Sequence, residues 1–269
     1  MNNKKVSAEK YFRRYLRIGP IALAVWRSVE ARHMAQIPLK RPILDIGCGF
    51  GEFALTFFDE PADVGLDIDA RDLEEAAKTK KYKKLVLGDA RNMPFKKNTF
   101  SSIISISTLE HIENPKKVLN EAYRVLKPGG ILAVTLETDE VDINTFYRPT
   151  MKKIGLGKLS DLCTHMYNSL YHRHTLLPKK RWKKMITETG FEIQTYKDII
   201  SVKVTKLFDI FLLTAWPSQL FKPFLGKRWV WRPKIMEDIL TGIFINTLDE
   251  EESYGTNLLI IAQKPKNKK

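Results

Sequence analysis

The residues with the most to offer chemically stand in one stretch, Asp45-Ile46-Gly47-Cys48-Gly49-Phe50-Gly51, followed by Asp67 and Asp89. Three glycines at alternate positions let the backbone come close to a bound molecule, and a helix starting behind such a turn offers free N–H groups to an anion. An acid two residues ahead of the first glycine would repel a pyrophosphate. It suits a ligand that carries both an ammonium and a carboxylate. Asp67, sixteen residues after Gly51, can accept from both hydroxyls of a ribose. Asp89, within Gly88-Asp89-Ala90, can accept from an exocyclic amine.

These residues need a scaffold that brings three separate turns together, and the surrounding pattern predicts one. Short apolar runs at 43–46, 63–67, 84–88, 100–105 and 131–136 read as buried strands. Between them 53–58, 72–79 and 115–126 read as helices, with Lys127-Pro128-Gly129-Gly130 stopping the last. Strands alternating with helices imply a parallel sheet covered on both faces, and ligands of such sheets bind beyond the carboxyl ends of the strands. Upstream, residues 8–36 read as two helices broken at Gly19-Pro20. Downstream, 178–189 reads as a basic helix, and 191–200 and 256–263 as strands. The roughly 55 residues between those strands exceed any ordinary loop and read as an inserted substructure. The expected fold is α/β, a Rossmann-like doubly wound sheet of seven strands. Its parts are an N-terminal helical cap (1–41), a ligand-binding core (42–139) and an acceptor-side region (140–269) with a helical insertion at about 201–255.

Ammonium, carboxylate, ribose and adenine without phosphate are together the parts of S-adenosylmethionine. The stretches ILDIGCGFG (43–51), VGLDID (64–69), GDARNMPF (88–95), FSSIISISTLEHI (100–112) and VLKPGGILAV (125–134) then carry a resemblance. In order and spacing the chain resembles the class I S-adenosylmethionine-dependent methyltransferases, in the broad family that includes the ubiquinone/menaquinone-biosynthesis enzymes. The resemblance covers about residues 42–137. It implies that Asp45, Gly47, Gly49 and Gly51 hold the methionine part of the co-substrate. By the same token Asp67 binds the ribose, Ile68 lies against the adenine, and Asp89 and Ala90 meet the adenine edge. Ser105 and Ser107 are implied to lie near the sulfonium.

The sulfonium methyl is already activated, so such a protein chiefly positions donor and acceptor. A hydroxyl or carbon acid acceptor still needs a base. Glu110-His111 is the nearest acid/base pair in sequence, with His172 and His174 as further candidates for the acceptor pocket. In some quinone O-methyltransferases of this superfamily a Glu-x-x-Glu-His run holds a metal. Here the first of those positions is Ser107, so no metal is expected. Cys48 reads as a packing residue of the turn. The Asp/Asn-Pro-Pro-Tyr tetrapeptide of enzymes that methylate nucleic-acid amines is absent after the fourth strand, which weighs against base amines as acceptors.

The chain has 269 residues with two cysteines and no segment approaching the length of a spanning helix. No disulfide framework or signal peptide is read, and the expectation is a cytoplasmic protein. Its net charge of +14 is uneven: residues 1–41 hold 10 Lys/Arg against 2 Asp/Glu, 42–139 hold 13 against 16, and 140–269 hold 22 against 13. Basic flanks fit an anionic partner, or serve only solubility. Residues 207–234 interleave Trp and Phe with Lys and Arg, and the N-terminal helices carry Tyr11, Phe12, Tyr15 and Trp26. These could form a rim at the inner face of a membrane that admits a lipid-like acceptor. They could equally pack on each other as a cap, or form a dimer face. The expected function is methyl transfer to oxygen or carbon of a small or lipid-linked acceptor. The alternatives are a nucleic-acid or protein methyltransferase and a non-catalytic cofactor-binding scaffold.

Overall fold

The computed structural model describes residues 6–170, 176–212 and 232–266, the side chains of 166–170 excepted. Among them seven strands form one sheet: β1 (Ile43–Ile46), β2 (Ala62–Asp67), β3 (Tyr82–Leu87), β4 (Phe100–Ile106), β5 (Leu126–Glu137), β6 (Glu192–Ser201) and β7 (Gly255–Gln263). Their order is β3-β2-β1-β4-β5-β7-β6. β1 to β5 pair in parallel, as the alternation of strand and helix predicts. β7 departs from the expected parallel sheet, running antiparallel to β5 with Val134 opposite Ile260. An antiparallel neighbour needs no crossover helix on the sheet face, so β7 can slot between β5 and β6 directly.

The order reverses between β1 and β4, whose chain connections leave in opposite directions from that point. Such a switch opens a crevice at the strands' carboxyl ends. Chain segments at these ends carry every glycine and acid of the motif. β1 is buried along its whole length, which is why Ile43-Leu44-Asp45-Ile46 reads as an apolar run rather than an alternating one.

The helices are α1 (Glu9–Leu16), α2 (Ile21–Met34), α3 (Glu52–Phe57), α4 (Ala70–Thr79), α5 (Pro115–Val125), α6 (Glu140–Asn144), α7 (Tyr147–Lys153), α8 (Gly157–Leu170) and α9 (Lys179–Glu188). A helix through 202–212 (α10) and α11 (Lys234–Asp249) complete them. Pro115 starts α5 at a position where the missing N–H costs nothing. Val118, Leu119, Ala122 and Val125 then recur on one face and join Leu44, Phe100, Leu132 and Ile260 of the sheet and Trp182 of α9 in one core cluster. Each buried Val, Leu, Ile or Phe of the cluster contributes about 1.5–3 kcal/mol relative to exposure. Lys127 to Gly130 were expected as a stop between helix and strand. They lie instead within β5, because Gly129 N–H donates to Lys264 O at 2.8 Å and Lys264 N–H returns to Gly130 O at 3.0 Å.

The chain divides into two compact units. One comprises Pro38–Asp139, Met166–Lys197 and Asn257–Lys269, and the other Met1–Ile37, Glu140–His165 and Asp198–Thr256. The second is built from helices distant in sequence. Asp249 accepts from Ser7 Oγ and Ala8 N–H, both at 2.7 Å. Arg17 donates to the buried Glu237 at 3.0 Å. Fully buried Arg32 donates to Asp249 O at 2.8 Å, satisfying a carbonyl at the end of α11. Tyr11, Phe12, Tyr15 and Trp26, read from the sequence as rim candidates, are buried here. Phe12 meets Phe244 edge-on, and Trp26 packs on Phe208 at 5.0 Å. Their apolar area is spent on joining α1 and α2 to α10 and α11. The remaining rim candidates, 213–231, lie outside the described residues. Among the described residues no helix is long and apolar enough to cross a membrane.

Candidate active site

The turn after β1 is held from two sides. Gly47 and Cys48 both donate to Leu66 O, at 2.8 and 3.1 Å. Gly49 donates to Asp67 Oδ2 at 2.7 Å, and Asp69 N–H donates to Asp67 Oδ1 at 3.1 Å. The carboxylate at the end of β2 thus fixes the glycine turn while keeping spare acceptor capacity on both oxygens. Asp69 also caps α4, accepting from Arg71 N–H at 2.8 Å.

The three glycines do different work. All have positive φ, a conformation strained for other residues. A Cβ on Gly47 would sit 2.1 Å from Thr108 Cγ2, so Gly47 allows the turn to close on the segment after β4. A Cβ on Gly51 would press on Ala76 of α4 at 3.2 Å, so Gly51 serves helix packing. A Cβ on Gly49 would meet nothing within 4 Å. Gly49 is the glycine of the turn that faces open space.

A cleft of about 370 Å³ lies at this edge of the sheet, within the range of small-molecule sites. Of the residues predicted from sequence, Gly47, Asp67, Ile68, Asp89, Ala90 and His111 line it. Ile68 is 66% exposed, unusual for an isoleucine beside a charged turn. Asp45, Gly49, Gly51, Ser105, Ser107 and Glu110 are not among its lining residues. Asp45 is buried and accepts from Tyr82 Oη at 2.6 Å. Ser105 Oγ donates to Ile46 O at 3.1 Å, tying β4 to β1. Ser107, at φ 43°, donates its N–H to Thr135. Glu110 is fully buried, and its Oε1 accepts Glu137 N–H at 3.0 Å. His172 and His174 lie outside the described residues.

Leu66, Gly88, Arg91, Thr108, Ile112 and Glu113 also line the cleft and were not singled out from sequence. Arg91 had a legible signal, a cation two positions from an acid. Its Nη2 lies 2.8 Å from Asp89 Oδ2, and its backbone N–H donates to Oδ1 at 2.8 Å. These bonds hold the Asp89 carboxyl below the usual carboxylate range. Thr108 had no such signal, because its contact with Gly47 spans 61 residues of chain. The Cys48 thiol is pushed far up by burial, with Asp45 and Asp67 adding to it, so it stays protonated and is no nucleophile. Among the described residues no group of three or more His, Cys, Asp or Glu is arranged to hold a metal.

The fit to the co-substrate rests on the donor set. A backbone turn open at Gly49, a carboxylate at the end of β2 and an exposed aliphatic side chain next to it match an amino-acid end, a vicinal diol and a flat ring. Asp89 is held by Arg91.

Comparison with known proteins bears on the same region. Residues 44–134 match the family model described as a methyltransferase domain. The ubiquinone/menaquinone biosynthesis C-methyltransferase of Ruegeria is 34% identical over 147 residues, 51% of this chain and 54% of that protein. The sterol 24-C-methyltransferase of Candida albicans is 30% identical over 195 residues, 66% of this chain and 48% of that one. The chain spans about half the length of these curated relatives. Among solved structures, an S-adenosylmethionine-dependent methyltransferase of Thermotoga maritima, described as a possible histamine N-methyltransferase, overlaps with a TM-score of 0.58. It is 19% identical, and 91% of each chain is covered, a likeness of fold.

Proposed function

We propose, from the premise that residues 44–134 are a class I S-adenosylmethionine-dependent methyltransferase domain, that the protein methylates a small or lipid-linked acceptor at oxygen or carbon. The observation that carries this reading is the turn at Gly49, which faces open space and is pinned by the Asp67 carboxylate at 2.7 Å, with Asp67 itself lining the cleft. The relatives named for quinone and sterol C-methylation support an apolar acceptor.

In this reading the Asp45 to Gly51 turn takes the methionine part, with Asp45 oriented by Tyr82 rather than exposed. The spare lone pairs of Asp67 accept the ribose hydroxyls. Ile68 and Ala90 flank the adenine, and Asp89 accepts its amine once Arg91 gives way. Ser105 and Ser107 shape the floor near the reacting centre through the backbone. The bound co-substrate supplies an activated methyl group. What this chain adds is position and a proton acceptor. His111 lines the cleft and is the candidate base for the acceptor's proton. Glu110 acts through it as a positioning residue, anchoring the turn at Leu109–His111 to the end of β5. His172 and His174 remain candidates for the acceptor pocket. A cytoplasmic protein working at the inner face of a membrane completes the reading, because an apolar acceptor is found there.

Calorimetric titration with S-adenosylhomocysteine tests the first step. Micromolar binding supports the site, and labelled methyl transfer into quinone and lipid extracts then identifies the acceptor. No binding to a folded sample refutes the reading and favours a scaffold.

A further inference from the structure

The corner between α7 and α8 presents apolar side chains to solvent where a soluble helix pair would bury them. Ile154 is 67% exposed and Leu162 54%, with Leu156 and Leu159 exposed between them. Lys153 and Lys158 are exposed in the same stretch. Ile154 and Leu156 flank Gly155, whose φ of 81° turns the chain back between the helices. Leu159 and Leu162 follow at helical spacing on α8, one turn apart. The result is an apolar tip with Lys152, Lys153 and Lys158 beside it and one exposed acid, Asp161, between Leu159 and Leu162. Lys152 is held to Asp161 at 3.2 Å, which leaves Lys153 and Lys158 as the cations on offer.

We infer that this corner is the docking surface for an anionic lipid bilayer, with Ile154, Leu156, Leu159 and Leu162 entering the acyl boundary and Lys153 and Lys158 meeting headgroup phosphates. Charge decides the occupant. Long lysine stems reach outward past inserted apolar groups, and each cation near an anionic surface adds to binding. At the corner Lys152, Lys153 and Lys158 are exposed against the one exposed acid Asp161, whereas a second exposed apolar stripe, Ile235, Ile239 and Ile243 of α11, has exposed Lys234 balanced by exposed Asp238. The inference deepens the lipid-linked reading above and rests on it for the value of docking. It moves the membrane contact away from the N-terminal rings, which are buried.

The experiment is co-sedimentation of the full chain with phosphatidylcholine vesicles, with and without phosphatidylglycerol. Binding is expected only to the anionic vesicles and should weaken with salt. Ile154→Ser with Leu159→Ser should lower partitioning by roughly tenfold or more. Lys153→Glu with Lys158→Glu should lower it by at least about fivefold per cation. Ile239→Ser should leave it unchanged. Equal behaviour towards both vesicle types, or loss in the Ile239 variant alone, overturns the assignment. So does a dimer in light scattering that the Ile154/Leu159 variant abolishes, which would give the corner to a second copy. S-adenosylhomocysteine affinity is measured on the same samples. Its survival without vesicle binding sinks the docking surface alone, and its loss with vesicle binding intact sinks the methyl-transfer reading alone.

Discussion

The two compact units use charge in opposite ways. Around the cleft, the acids Asp67 and Asp69 bind backbone N–H groups no more than 18 residues away in sequence and fix turns. In the helical unit, Asp249 and Glu237 bind groups that are 241 and 220 residues away in sequence. The first arrangement sets the shape of a turn and leaves acceptor capacity for a ligand. The second ties helices that are distant in the chain into a scaffold. Local charge near glycine therefore reads as a site in this protein, and long-range charge between helices as architecture.

The largest expected effect tests the close approach of the glycine turn. Gly47→Ala forces a Cβ into Thr108 at positive φ and should cost roughly 2–4 kcal/mol in urea unfolding. Gly49→Ala carries only backbone strain, about 1 kcal/mol, but should weaken S-adenosylhomocysteine binding more than Gly47→Ala does per unit of stability lost. Equal stability costs for the two would show that the turn does not close on Thr108 as described.

Next, Asp67→Ala removes the acceptor for two backbone N–H groups and, in the proposed reading, for the ribose. Affinity for S-adenosylhomocysteine should fall by roughly 1–3 kcal/mol in calorimetry. Unchanged affinity in a folded variant would contradict the ribose assignment. The counterpart in the helical unit is Arg17→Ala. Arg17 is more than half exposed while its partner Glu237 is nearly buried, so screening limits the loss to about 1 kcal/mol, read in the same unfolding assay. Co-substrate affinity should not move. A fall in affinity would break the division of labour between the units.

The smallest effect concerns Asp89. Arg91→Ala should leave the unfolding midpoint in place and raise S-adenosylhomocysteine affinity a few-fold, since the Asp89 carboxylate no longer has to be released. A fall would mean that Arg91 touches the ligand itself. The pair also fixes a pH dependence. Because the Asp89 carboxyl is depressed in the fold, chiefly by its bonds to Arg91, its contribution is present above its unfolded value near pH 3.9. That contribution is lost as pH falls through the lower folded value. In Arg91→Ala the acid limb of the binding curve should move to higher pH.

Sequence alone made the sheet core legible because its signals are local. Ile43 to Ile46 is buried along its whole length, so the run is apolar apart from Asp45 rather than alternating. Gly47, Gly49 and Gly51 have positive φ, Asp67 ends β2 and Asp89 follows β3 by two residues. Those same signals, by type and spacing, determined the fold class, the cleft's position and the chemistry it suits. They could not separate the three glycines by task. That depends on Thr108, Ala76 and empty space, none of which is adjacent in the chain. Nor could they show that Glu110 points under β5 while His111 lines the cleft, since neighbouring residues of a tight turn differ only in direction. The antiparallel course of β7 and the burial of Tyr11, Phe12, Tyr15 and Trp26 were likewise decided in three dimensions. An aromatic side chain gains about the same from any apolar neighbour, so its type says that it will be covered. Only the packing of α1 and α2 on α10 and α11 says by what.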